Sequence, residues 1–138
     1  STSMKQLIVP VEEFTTPDPV SIEETMLLGD LLELMNREGF RHLPVVREGE
    51  LVGIISDRDV RLFAGMPAAD RDGLTAADIM TEDLLMIDAS MPLDEAALKM
   101  SANKVSSLIV QEEGEFMGIF TATDALNALV EILRGVEQ

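Results

Sequence analysis

The 138-residue sequence has no cysteine, tryptophan or tyrosine, one histidine (His42), five phenylalanines, and only ten lysines and arginines against 26 aspartates and glutamates. Without cysteine there is no disulfide framework, thiolate nucleophile or zinc–thiolate site, and a lone histidine excludes Cys/His dyads and multi-histidine metal centres. A formal charge of −16, with the basic residues scattered singly from Lys5 to Arg134, argues against a phosphate-tracking nucleic-acid surface and against an anionic membrane. No apolar run approaches the roughly 18 residues of a membrane span, and Ser1-Thr2-Ser3-Met4-Lys5 lacks the hydrophobic stretch of a signal peptide, so a cytoplasmic location is expected.

What is present is apolar. Hydrophobic residues make up 46% of the chain, which excludes the disordered acidic tail that such charge usually accompanies. A chain of this length buries roughly two-thirds of its extended surface on folding, enough for one good core or two small ones.

Sliding the sequence against itself gives a gap-free match at an offset of 65: residues 14–63 align with 79–128, with 14 of 50 pairs identical, among them Thr16/Thr81, Ile22/Ile87, Met35/Met100, Gly53/Gly118 and Asp59/Asp124. In the first copy, Pro19 to Ile22 reads as a short strand and Thr25 as a helix cap, followed by the helical stripe Leu28, Leu31, Leu32, Met35 that Gly39 closes. In the second, Ser90 is the expected cap, Pro92 sits in the first turn, and Leu93, Ala96, Ala97 and Met100 form the stripe, with Asn103 near its end. Strands at 43–46 and 51–56, and at 108–110 and 116–121, flank hairpin turns containing Gly49 and Gly114. A second helix is expected from about Arg58 to Ala64, and from about Ala122 to Leu133. The fold class is α+β: two β-α-β-β-α repeats, at 9–65 and 74–133, joined by a polar linker at 66–73. Neither repeat covers its own apolar faces, so the two are expected to pack as a pseudo-twofold pair.

The run Leu-Pro-Val-Val-x-Glu-Gly-x-Leu-Val-Gly-Ile-Ile-Ser-x-x-Asp from Leu43 to Asp59, echoed from Leu108 to Asp124, resembles the CBS domain, named after cystathionine β-synthase. Two in tandem resemble a Bateman module. Residues 14–20 and 79–85 are similar to the family's Met-Thr-Pro leading segment, from which Thr15 and Glu82 depart. The resemblance implies a non-catalytic regulatory module that binds an adenosyl ligand (AMP, ADP, ATP or S-adenosylmethionine) between the repeats, with Mg²⁺ accompanying ATP, and that forms a disc-like homodimer acting on a regulated protein partner.

By the same resemblance, Asp59 and Asp124 accept from ribose hydroxyls, Ser56 and Thr121 donate to a phosphate, and the base lies near Val20 to Ile22 and Met86 to Ile87. The spacing agrees, because a hydroxyl at a strand end and a carboxylate three residues on share the side of the first helical turn where free N–H groups favour an anion. The same Ser/Thr-x-x-Asp spacing also describes a helix capping box. Cations separate the copies: Arg41, His42, Arg58 and Arg61 in the first are Ser106, Ser107, Thr123 and Leu126 in the second. One stronger phosphate site is therefore expected in copy one, and a weak, neutral-ligand or empty site in copy two. The alternatives are a structural dimerisation module with vestigial pockets, or a Mg²⁺ sensor built on acidic pairs such as Glu12-Glu13, Glu23-Glu24 and Glu112-Glu113. Adjacent carboxylates more often form a solvated edge.

Overall fold

The computed structural model describes residues 7–136. A 3₁₀ turn at Val11–Phe14 precedes β1 (Thr16–Pro17) and β2 (Ile22–Glu23). Copy one continues with α1 (Leu28–Glu38), β3 (His42–Arg47), β4 (Glu50–Ser56) and α2 (Asp57–Ala64), and two short helices follow, α3 (Ala68–Arg71) and α4 (Ala76–Ile79). Copy two comprises β5 (Met86–Asp88), α5 (Leu93–Asn103), β6 (Ser107–Glu112), β7 (Glu115–Thr121) and α6 (Ala122–Val136). Each copy thus runs β-α-β-β-α, and the fold is mixed α+β. The stretch read as a linker contains a helical turn, α3, and α6 runs three residues past the expected end.

The chain divides into two compact units, described here as 19–84 and as 7–18 with 85–136. In the contiguous unit the sheet order is β2-β3-β4, with β2 parallel and β4 antiparallel to β3. Leu28, Leu31 and Met35 from α1 pack with Leu43, Val45, Ile55, Val60 and Ile79. In the discontinuous unit the order is β1-β7-β6-β5. Val11, Ile87, Ala96, Met100, Leu108, Val110 and Phe120 fill that core, with Val11 and Phe120 fully buried.

The segment leading each copy pairs with the other copy's strand. Thr16 lies opposite Ile119 on β7, and in the matching place Thr81 exchanges backbone hydrogen bonds with Ile54 on β4 at 2.9 and 3.0 Å. A glycine makes room at each crossing. A Cβ on Gly118 would collide with the Thr16 carbonyl oxygen and Thr15 Cγ2, and one on Gly53 would meet the Met80 side chain. Thr15 and Met80 are repeat partners, so the threonine that departs from the family pattern fills the place of a methionine; its buried hydroxyl donates to Val11 O at 2.9 Å.

The expected N-caps are corrected. α1 starts after Leu27 and α5 after Pro92, neither with a side-chain cap; Thr25 and Ser90 lie upstream, and Ser90 bonds Asp88 instead. Proline 92 is therefore the residue before the helix, not part of its first turn. Both helices end on a left-handed residue, Gly39 (φ 71°) and its partner Lys104 (φ 55°). The hairpins turn through Glu48-Gly49 and Glu113-Gly114, all at positive φ, the twist that suits tight antiparallel turns.

Candidate functional site

The Ser/Thr-x-x-Asp residues sit at the strand-to-helix junctions. Ser56 ends β4 and is the N-cap of α2, with extended backbone. The Asp59 carboxylate accepts through Oδ2 from the Ser56 N–H (2.9 Å) and hydroxyl (3.0 Å), while the Asp59 N–H donates to Ser56 Oγ at 3.2 Å. Copy two repeats this within 0.1 Å: Thr121 donates to Asp124 Oδ2 from its N–H (2.8 Å) and hydroxyl (2.9 Å), and the Asp124 N–H donates to Thr121 Oγ1 at 3.2 Å. Both are capping boxes. A third pair lies outside the repeat alignment: Thr75 donates to Asp78 Oδ2 from its N–H and hydroxyl at 2.8 and 3.1 Å. The motif geometry alone therefore satisfies helix ends. What remains at the two repeat sites is the second carboxylate oxygen and the half-buried setting of Ser56, Asp59, Thr121 and Asp124.

The neighbouring strand borders each junction. His42 lies opposite Ser56, and Ser107 opposite Thr121. The Asp57 N–H donates to Arg41 O at 2.8 Å, and the Ala122 N–H to Ser106 O at 2.9 Å, so residues 41 and 106 are fastened to the first turn of the following helix. Arg41, His42, Ser56, Arg58 and Asp59 are thus gathered at one junction. Among the described residues, the Arg41 and Arg58 guanidinium groups make no ion pair, and both residues are exposed. Arg61 differs, reaching back to Asp57 Oδ2 at 3.2 Å on the helix flank. Copy two offers Ser106, Ser107 and Thr123 in place of these cations.

The expected base walls divide by exposure. Val20 (50% exposed) and Met86 (42%) present side chains to solvent, whereas Ile22 and Ile87, at 4% each, face their cores and offer only backbone.

Carboxylate shifts arise away from these junctions. Arg47 at the end of β3 donates to Glu24 Oε1 and Oε2 from Nε (2.7 Å) and Nη2 (2.8 Å), which holds the Glu24 carboxyl below its usual range. The Ser90 hydroxyl and N–H lower Asp88 likewise. Among the described residues no group of three or more histidine, aspartate or glutamate side chains could hold a metal ion, so no magnesium site is placed. No helix of the described residues is long and apolar enough to cross a membrane.

One feature escaped the sequence reading: an apolar groove of about 590 Å³ between α5 and α6. The signal was present, since Leu126, Leu129 and Leu133 widen the apolar arc of the last helix beyond one buried stripe.

The CBS domain pattern matches residues 11–64 and again 76–131. The chain is 36% identical over 110 residues to inosine-5′-monophosphate dehydrogenase of Bifidobacterium longum, covering 78% of this chain but only 20% of that enzyme, so it spans about a fifth of that relative. It is 32% identical over 116 residues to a CBS domain-containing protein of Dictyostelium discoideum, covering 76% of this chain and 80% of that one. Three crystal structures superpose closely. A candidate acetoin utilization protein (AcuB) of Vibrio cholerae has a TM-score of 0.81 at 26% identity, covering 95% and 97% of the two chains. CBSX2 in complex with AMP gives 0.76 at 27%, covering 89% and 97%. A CBS domain pair in complex with 5′-methylthioadenosine and S-adenosyl-L-methionine gives 0.73 at 25%, covering 96% and 100%. The repeat, its β-α-β-β-α order and these matches agree: the chain belongs to the CBS domain family and carries two copies of that domain in tandem.

Proposed function

We propose that this chain is a non-catalytic sensory module that binds adenosyl ligands at its two strand-to-helix junctions. One observation carries the reading: the hydroxyl–carboxylate pair is built identically in both copies, in a fold whose solved neighbours hold AMP in one case and 5′-methylthioadenosine with S-adenosyl-L-methionine in another. A carboxylate oxygen outside the capping box suits a ribose diol. The Asp57 and Asp59 N–H groups are already engaged by Arg41 O and Ser56 Oγ, so at the first junction an anion is met mainly by side chains. Arg41, His42 and Arg58 at the first junction favour a phosphorylated ligand such as AMP, ADP or ATP. The uncharged Ser106, Ser107 and Thr123 at the second favour an adenosyl group without phosphate. Val20 and Met86 supply exposed apolar surface for the base. The module works as a cytoplasmic homodimer whose occupancy is read by a regulated partner, which requires the ligand to bind two arrangements with different affinity.

Titration calorimetry on ligand-stripped protein against AMP, ADP, ATP and S-adenosylmethionine tests this. Saturable binding is expected, with a rise in unfolding free energy of ~2.7 kcal/mol at a hundredfold excess over Kd. The observation favouring a second reading, a structural dimerisation module, is that Thr75–Asp78 makes the same two side-chain bonds where the first copy has Pro10 and Glu13 and so no hydroxyl–carboxylate pair. Absence of both heat and thermal shift at millimolar ligand would select it.

A further inference from the structure

The two repeats carry different chemistry at one exposed position of the expected base walls. Met86 opens β5 and is 42% exposed, and its repeat partner, Ser21, is exposed just ahead of β2. The chain has nine methionines, and among the described residues Met86 is the one methionine that is exposed. Met35 and Met100 are buried, and Met26, Met80, Met91 and Met117 lie half-buried against the cores. With no cysteine to react first, an accessible thioether is the group in this chain that a peroxide oxidises most readily.

The backbone around Met86 is held on both sides. The Ile109 N–H donates to Leu85 O at 2.9 Å, Met86 lies opposite Ile109 in the parallel pairing of β5 with β6, and Ile87 turns into the core. The Met86 side chain takes no part in that core, so its chemistry can change at the surface while the fold stays closed.

We propose that Met86 is an oxidation site through which a hydroperoxide weakens the hold of the second junction on an adenosyl ligand and leaves the first junction as it was. The inference rests on the adenosyl-binding reading above and names a regulation of that site. The Met86 Sδ lone pair attacks one peroxide oxygen, and the S–O bond forms as the O–O bond breaks. The departing oxygen takes the proton from the transferred one and leaves as water, or as an alcohol from an organic hydroperoxide. Sulfur is oxidised by two electrons and the peroxide is reduced by two. Two thiols, acting through a sulfoxide reductase, return the thioether and leave as a disulfide with water. The sulfoxide is polar where the thioether was apolar, and under a base its oxygen gives up water without gaining a partner. Copy one meets the same peroxide with Val20 and the Ser21 hydroxyl, neither of which it oxidises. A ligand lying over Met86 also covers the sulfur, so occupancy slows the oxidation.

Peptide mass spectrometry of the full chain after graded hydrogen peroxide, followed by catalase and calorimetry, tests this. Met86 is expected to gain oxygen before the buried and half-buried methionines, and more slowly under saturating adenosine. The oxidised chain should bind adenosine at least ~10-fold more weakly and AMP as before. Met86→Leu, which keeps the apolar volume and cannot take oxygen, should bind adenosine equally before and after peroxide. Met86→Gln, polar and of similar length, should bind it weakly from the start. Thermal unfolding, expected to be unchanged in both variants, separates loss of the wall from loss of the fold. Adenosine binding that survives sulfoxide at Met86, or that peroxide abolishes in Met86→Leu, would overturn the inference, as would oxygen appearing first on a core methionine such as Met100. The two proposals fail differently: an untreated chain that gives no heat with adenosine or AMP overturns both, whereas untreated binding that is indifferent to oxygen on Met86 overturns this one and leaves the sensory reading standing.

Discussion

One oxygen of Asp59, Oδ2, accepts both the N–H and the hydroxyl of Ser56, at 2.9 and 3.0 Å. The capping role thus occupies half of the carboxylate. Asp59→Ala should cost ~1 kcal/mol of stability through the lost cap and also weaken AMP binding at least tenfold. Asp78→Ala, at the box outside the Gly-h-h-Ser/Thr-x-x-Asp motif (h, hydrophobic), should cost similar stability and leave AMP binding intact. Urea unfolding and calorimetry on both variants check this. Equal stability losses with unchanged AMP affinity would reduce Asp59 to a cap.

The cation asymmetry makes a ligand-specific prediction. Arg41→Ala and Arg58→Ala should each lower AMP affinity by about 1.5–3 kcal/mol, the worth of a hydrogen bond to a charged group, while adenosine binding stays the same. Ser106→Arg, which moves copy one's residue into copy two, should raise AMP stoichiometry. Competition between AMP and adenosine reads both effects.

The glycines under the crossing segments are not equivalent. Gly118→Ala places a methyl against the Thr16 carbonyl, which can move only if the backbone moves, and should cost about 1–3 kcal/mol. Gly53→Ala meets the flexible end of Met80 and should cost less. Denaturation midpoints of the two variants give the order directly.

Acid sensitivity follows from Glu24 and Asp88. Their folded-state pKa values lie below the ordinary 4.5 and 3.8, Glu24 chiefly through the hydrogen bond from Arg47 and Asp88 chiefly through the Ser90 hydroxyl. A depressed carboxyl stabilises the fold fully above its unfolded value, and the contribution fades as pH falls through the folded one. Stability should therefore decline as pH drops below these ordinary values. Arg47→Ala and Ser90→Ala should each flatten that decline, measured as the urea midpoint against pH.

The repeat order, the hairpins and the body of each helix were legible because they follow from local signals: a 3.6-residue apolar period, glycines at positive φ, and a duplicated motif. The helix starts were not. The Leu28 N–H donates to Leu74 O and the Leu93 N–H to Val9 O, so a distant backbone carbonyl does what Thr25 and Ser90 were expected to do from nearby. β1 was invisible for the same reason, since Thr16–Pro17 is a strand only because β7 lies beside it. At the candidate site, residue types marked Ser56, Asp59 and their partners. Which face Ile22 and Ile87 present depended on register, set by the pairing of β2 with β3 and of β5 with β6.

The crossing of leading segments also bears on how the chain reaches its fold. The unit from 19 to 84 is contiguous and can complete itself as soon as its last residues leave the ribosome. The other must hold Val11 and Thr16 open until Met91 and Ile119 exist, more than a hundred residues later in the second case. Its contact order is correspondingly high, and closing so long a loop comes late and slowly. In refolding, protection of the amides on β7 should lag behind that on β4, although the two strands hold matching places in the repeat.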